Sequence, residues 1–156
     1  MSSFVISGSV APSIAAAPSE SREAKHEYAR IGALTVLAAV LANVLVYFLG
    51  DLVIRYDPEF LVLGNASGVA IFTFTAAVVA VVVYGGLLRY TANPVRNFGI
   101  ISALVLVVTA IPDFTYIPSQ PGASNAQTAL LLLTHLTAAG VIVGMLTTLV
   151  RPSQAR

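Results

Sequence analysis

The sequence predicts an all-α membrane protein, an antiparallel four-helix transmembrane bundle. Three observations carry that reading. Of its 156 residues, 57% are hydrophobic and 10% charged, too little charge to cover a soluble domain of this size. Four apolar stretches lie at 31–49, 66–88, 97–111 and 127–150, and a helix needs roughly 20 apolar residues to cross a bilayer. Lysine and arginine are also unevenly placed. Arg22, Lys25 and Arg30 precede the first stretch, Arg89 and Arg96 flank the middle connection, and Arg151 and Arg156 follow the last. The other two connections hold only Arg55. By the positive-inside rule both termini then face the cytoplasm, and Asp51, Asp57, Glu59 and Asp113 face the other side.

Four spans with short loops use most of the chain, so one domain is expected and a large extramembrane catalytic domain is excluded. The net charge of +1 and the lack of a basic run imply no nucleic-acid partner. Without cysteine there are no disulfides and no thiol redox or thiolate metal sites. Without tryptophan, an interfacial aromatic belt must use tyrosine and phenylalanine.

Residues 1–21, rich in Ser, Ala, Pro and Gly, read as a disordered cytoplasmic tail. A secretory signal wants a basic start and an unbroken apolar core, whereas no basic residue precedes Arg22, and Pro12 and Pro18 interrupt the stretch. A polar helix is expected from about Ser19, with Ser19 or Ser21 as cap and Glu20 and Glu23 near the positive end of its dipole. Glu27 and Arg30 are spaced to pair. The helix should run unbroken into span one, where Asn43 is the only strongly polar interior residue.

Gly50–Gly64 forms the first outer loop, and its Leu52, Val53, Phe60, Leu61 and Leu63 should hold it against the membrane surface or over the bundle end. Asn65 is placed to cap span two, Ala66–Leu88. Arg89–Arg96 is a tight inner loop with a turn at Asn93-Pro94. Span three, Asn97–Ile111, should stop at Pro112. Pro118 and Pro121-Gly122 make turns in the second outer loop, and Ser124-x-x-Gln127 is a capping box opening span four.

The two hairpins look alike. The offset that lays Asp51 on Asp113 and Arg89 on Arg151 also lays Thr75-Ala76-Ala77 on Thr137-Ala138-Ala139. Either the bundle is two parallel-repeat hairpins about an axis along the membrane normal, or apolar helices share these residues by chance. At that offset His135 stands where the first half has Thr73.

His135 is the ionisable group within span four. Such a side chain is costly in hydrocarbon and is expected to face the bundle interior with a partner. At about 1.5 Å per residue, Asn43, Thr73 or Thr75, and Thr109 reach a similar depth, and Asp113 lies just above. Two readings follow. In one, neutral His135 donates to a threonine or to Asn43, and the layer sets helix register. In the other, His135 and Asp113 form a titratable pair opening outward to a proton, a cation or a small polar ligand. Asp113 can instead cap backbone groups in the turn after span three, with Phe114 and Tyr116 as interfacial anchors.

Gly140, Gly144 and Thr148 form a small-residue face for close helix packing, inside the monomer or between copies. No nucleophile–base constellation, phosphate loop or metal spacing is present in the sequence, so no cofactor, metal or catalytic residue is implied. His26 belongs to the polar helix and is expected to be solvated.

The layout, the run Leu133-Thr134-His135-Leu136-Thr137-Ala138-Ala139 and the Pro112-Asp113 turn resemble a family of small bacterial four-span membrane proteins known as a domain of unknown function. The resemblance covers about Ala29 to Pro152. It implies a bacterial cytoplasmic membrane and no particular chemistry.

The sequence therefore points first to a non-enzymatic membrane protein, an accessory or complex subunit whose partners are the lipid bilayer and another membrane protein or a second copy. The alternative is a small transporter or channel component with an outward-facing polar site around His135. A membrane-embedded enzyme acting on lipid or quinone ranks third, because a lone histidine without a placed acid or metal is a poor catalyst.

Overall fold

The structure, a computed structural model, describes residues 18–150. The expected tail up to residue 17, together with Arg151 and Arg156, lies outside the described residues. Four α-helices follow in order: α1 Pro18–Ile54, α2 Ala66–Tyr90, α3 Pro94–Thr115 and α4 Asn125–Leu149. Short 3-10 turns, Leu61–Leu63 and Ile117–Ser119, lie in two of the connections. All four helices are long and apolar enough to cross a membrane.

The helices run alternately up and down, which leaves both ends of the described chain on one side, the termini end, and the two longer loops on the other, the loop end. α1 packs along α2 and α4, while α3 leans chiefly on α4 and sits across the bundle from α1. Close approach of α1 to its neighbours depends on small residues. A Cβ on Gly32 would lie 2.8 Å from Val81 Cγ1, and one on Gly50 would collide with the Leu130 side chain. The Tyr28 hydroxyl ties α1 to α2 by donating to the Val81 carbonyl.

Two apolar clusters fill the interior. At the termini end Ala39, Ala77, Tyr84, Phe98, Ile142 and Leu146 pack together, with the Tyr84 and Phe98 rings 4.8 Å apart. At the loop end Tyr47, Phe60, Leu63, Ile117, Leu130 and Leu131 form a second cluster. The apolar residues Phe60 and Leu63 of the first loop thus turn inward over the bundle.

Several element ends differ from the sequence reading, each for a physical reason. α1 begins at Pro18, so Ser19 and Ser21 lie within the helix. It also continues past Gly50 to Ile54. Gly50 is there for contact with Leu130, and the helix ends where Arg55 turns to φ 47 and Tyr56 N donates to Asp51 Oδ1 at 3.0 Å. The inner connection is only Thr91–Asn93, because Pro94 sits at the first turn of α3, where its missing N–H costs nothing. α3 does not stop at Pro112 but runs on to Thr115. A proline removes its own donor and crowds the carbonyl four residues back, yet the residues after it still donate normally. Tyr116 N bonds Pro112 O at 2.9 Å, so the last turn survives. Elsewhere the caps form as expected: Asn65 accepts from Gly68 N at 3.0 Å, and Ser124 from Gln127 N at 3.3 Å.

Candidate functional site

The expected polar layer divides into two pairs. Asn43 of α1 donates from Nδ2 to Thr73 Oγ1 of α2 at 2.9 Å, and both residues are buried. Asp113 of α3 faces His135 of α4, with Oδ2 3.5 Å from Nδ1. Because Gly50 lies against Leu130 on antiparallel helices, His135 is level with a point on α1 about 3 Å from Asn43 along the axis. The depths agree, but the pairs occupy different sides of the bundle, and no hydrogen bond joins them among the described residues.

Thr75 and Thr109 do not join either pair. Both are exposed and back-bond to their own helices, Thr75 Oγ1 to Ile71 O and Thr109 Oγ1 to Val105 O, each at 2.9 Å. Thr75 follows Thr73 by two residues, which on a helix is the opposite face. Thr134 is buried beside the site, but its hydroxyl donates to Leu131 O at 2.7 Å.

His135 donates to neither Asn43 nor a threonine. Its Nδ1 lies 2.8 Å from the Leu131 carbonyl, one turn back on its own helix. Asp113 does not cap the turn after α3, because it lies inside that helix. Continuation of α3 past Pro112 places Asp113 on the side facing α4. Its flanks Ile111 and Phe114 are 51% and 65% exposed, whereas Asp113 is 4% exposed. Asp113 Oδ2 and Asn43 Oδ1 are both buried without a hydrogen-bond partner among the described residues. An unpaired buried acceptor of this kind costs roughly 1–3 kcal/mol, more if it is charged.

Gly140, Gly144 and Thr148 face outward. A Cβ on either glycine would meet nothing within 4 Å, and all three residues are exposed. Packing of α4 inside the monomer is done by Leu131, Thr134, Ile142 and Leu146 on another face.

Sequence reasoning missed Gln127. Its capping-box position suggested a side chain folded back onto Ser124. Instead Gln127 is 3% exposed, and its amide reaches both loops. Nε2 donates to Gly122 O and Oε1 accepts from Asp57 N, each at 2.9 Å. Gly122 permits this approach: its φ is 69, and a Cβ there would lie 2.8 Å from Asp57 Oδ1 and 2.9 Å from Phe60 N. The contact joins residues far apart in sequence, which is why no local pattern reveals it. Among the described residues, no group of three or more His, Cys, Asp or Glu side chains is arranged to hold a metal.

A family model described as a family of unknown function, DUF6069, matches residues 23–152. No curated protein and no solved structure matches the chain.

Proposed function

For this chain, which belongs to the DUF6069 family of unknown function, we propose a role as a non-enzymatic integral membrane subunit. It works through lateral contacts with another membrane protein or a second copy. The observation that supports this reading is the filled interior. Apolar clusters occupy both ends of the bundle, and Gln127 pins the two loops together across the loop end. Passage through such a body would require the loop end to come apart, whereas its outward helix faces are free to meet a partner. The residence we propose is a bacterial cytoplasmic membrane with both termini in the cytoplasm, supported by the placement of lysine and arginine.

Cross-linking tests the role. The chain has no cysteine, so Gly140→Cys and Ile101→Cys each introduce a single reactive site on an outward face. In native membranes, a zero-length disulfide between copies or a photo-adduct of one fixed mass is the expected result. A chain that stays free of adducts at both positions, and at further positions around α2 and α3, would overturn the subunit reading.

A second reading, a small transporter or channel component, is favoured by one observation. The Asp113 carboxylate is buried with one oxygen unpaired, facing a half-exposed histidine. Proteoliposomes carrying the full chain would then show flux driven by a pH gradient, lost in His135→Leu. Flux that is unchanged in that variant would remove His135 from any such path.

A further inference from the structure

We propose that Asp113 and His135 together form a proton-binding site within the bundle, which holds one exchangeable proton either on the Asp113 carboxyl or on His135 Nε2. The inference stands on the geometry of the pair and on neither reading above.

The argument begins at His135 Nδ1. Its near neighbour at 2.8 Å is the Leu131 carbonyl, which can only accept, so Nδ1 carries a hydrogen and donates it. Nε2 is then the ring position that gains or loses a proton. The His135 side chain is 30% exposed and the Asp113 side chain 6% exposed. Two arrangements leave the pair electrically neutral. Either Asp113 is a carboxylic acid beside a neutral imidazole, or it is a carboxylate beside an imidazolium. Both contain the same single proton beyond the one on Nδ1, and its position is all that differs. Removing that proton leaves an isolated carboxylate among apolar side chains; adding a second leaves an isolated imidazolium. In a membrane interior an uncompensated charge is strongly disfavoured, so the one-proton state is the favoured occupancy.

Among the described residues, the neighbouring ionisable groups are engaged elsewhere or lie at the other end of the bundle. From α1, the Tyr47 hydroxyl donates to Leu63 O at 3.1 Å, and Asp51 accepts from Tyr56 N at 3.0 Å. The ionisable groups of α2 are Tyr84, Arg89 and Tyr90, all toward the termini end. Beyond α3, Tyr116 is 60% exposed, and Asp57 of the first loop accepts from Glu59 N at 2.8 Å. The pair also has a mechanical position. Between Phe98 and the end of α3, Asp113 is the helix's one buried residue, so the site lies where the loop-end half of α3 is held to α4.

Nuclear magnetic resonance of the full chain in lipid nanodiscs, with nitrogen-labelled histidine and carbon-labelled aspartate carboxyls, tests the assignment. The expected result has three parts. The His135 ring is the tautomer protonated on Nδ1. Asp113 and His135 signals both report the same two macroscopic steps, one on each side of the one-proton state, as coupled groups do. In Asp113→Asn, the His135 midpoint shifts by about one to three pH units, the size expected when a charge within 4–6 Å is removed. The wild-type titration stands alone should that variant fail to fold. Separate, independent midpoints in the wild type, or a ring protonated on Nε2 with bare Nδ1, would overturn the proposal. So would a midpoint that follows sodium concentration at constant ionic strength, which would identify a cation site instead.

Discussion

Asn43 and Thr73 form a buried pair with unequal members. Thr73 needs its partner less, since its hydroxyl can turn to its own helix as Thr75 does. Asn43 has no such recourse, and its Oδ1 is already unpaired among the described residues. Thr73→Val should therefore strand the Asn43 amide and lower stability by roughly 0.6–2 kcal/mol. Asn43→Leu combined with Thr73→Val should recover most of that loss. Thermal melting in a fixed detergent measures both, and equal destabilisation by the single and double variants would contradict the pairing. Tyr56, in the first loop, gives a prediction in pH. Burial, followed by the influence of Tyr47 and Asp51, pushes its phenol from 10.0 up to about 12. A proton held more tightly in the folded state means that stability is intact below pH 10 and declines from there toward pH 12. Tyr56→Phe should flatten that alkaline decline in melting temperature, and an unchanged slope would place its cause elsewhere.

At the scale of elements, the loop end is held by contacts between segments distant in sequence. Gln127 on α4 bonds Asp57 of the first loop and Gly122 of the second. Gln127→Ala should leave the spans in place and loosen both loops. The expected sign is faster protease cleavage within 55–64 and 116–123, with little change at the 91–93 connection. Cleavage that rises equally at all three would indicate general unfolding. Gly122→Ala attacks the same junction through the backbone. A positive φ and the contacts with Asp57 and Phe60 should together cost about 1–3 kcal/mol. Melting as stable as the parent would show that the loop can rearrange. The third helix is peripheral, its buried residues being Pro94, Phe98 and Asp113.

For the molecule as a whole, four antiparallel helices put both ends of the described residues on one side, and the orientation proposed above makes that side cytoplasmic. Reporter fusions after Gly64 and after Gln120 should be exported, and those after Asn93 and Arg156 cytoplasmic. An exported fusion at Arg156 would reverse the orientation or change the number of spans. The outward face of α4 gives a stability prediction. Gly140→Ala and Gly144→Ala meet no neighbour within the monomer, so each should leave the detergent-solubilised monomer unchanged or up to about 1 kcal/mol more stable. Loss of stability in the monomer would return these glycines to an internal packing role.

The sequence by itself determined the fold class, the number of helices and the caps at Asn65 and Ser124. These depend on composition and on distance along a helix, both of which are local. It also singled out His135, Asp113, Asn43 and Thr73, because polar groups stand out in an apolar segment. Only the tertiary structure decided which of them meet. Rotation about a helix axis is set by packing against neighbours, and four spans that are apolar on every side leave that rotation open. The same freedom allowed Gly140 and Gly144 to turn outward, Thr75 and Thr109 to leave the interior, and α3 to pass Pro112 and bring Asp113 to His135. The Gln127 bridge was hidden for a related reason: its partners come from two other loops, and nothing along the chain announces a contact made by three segments at once.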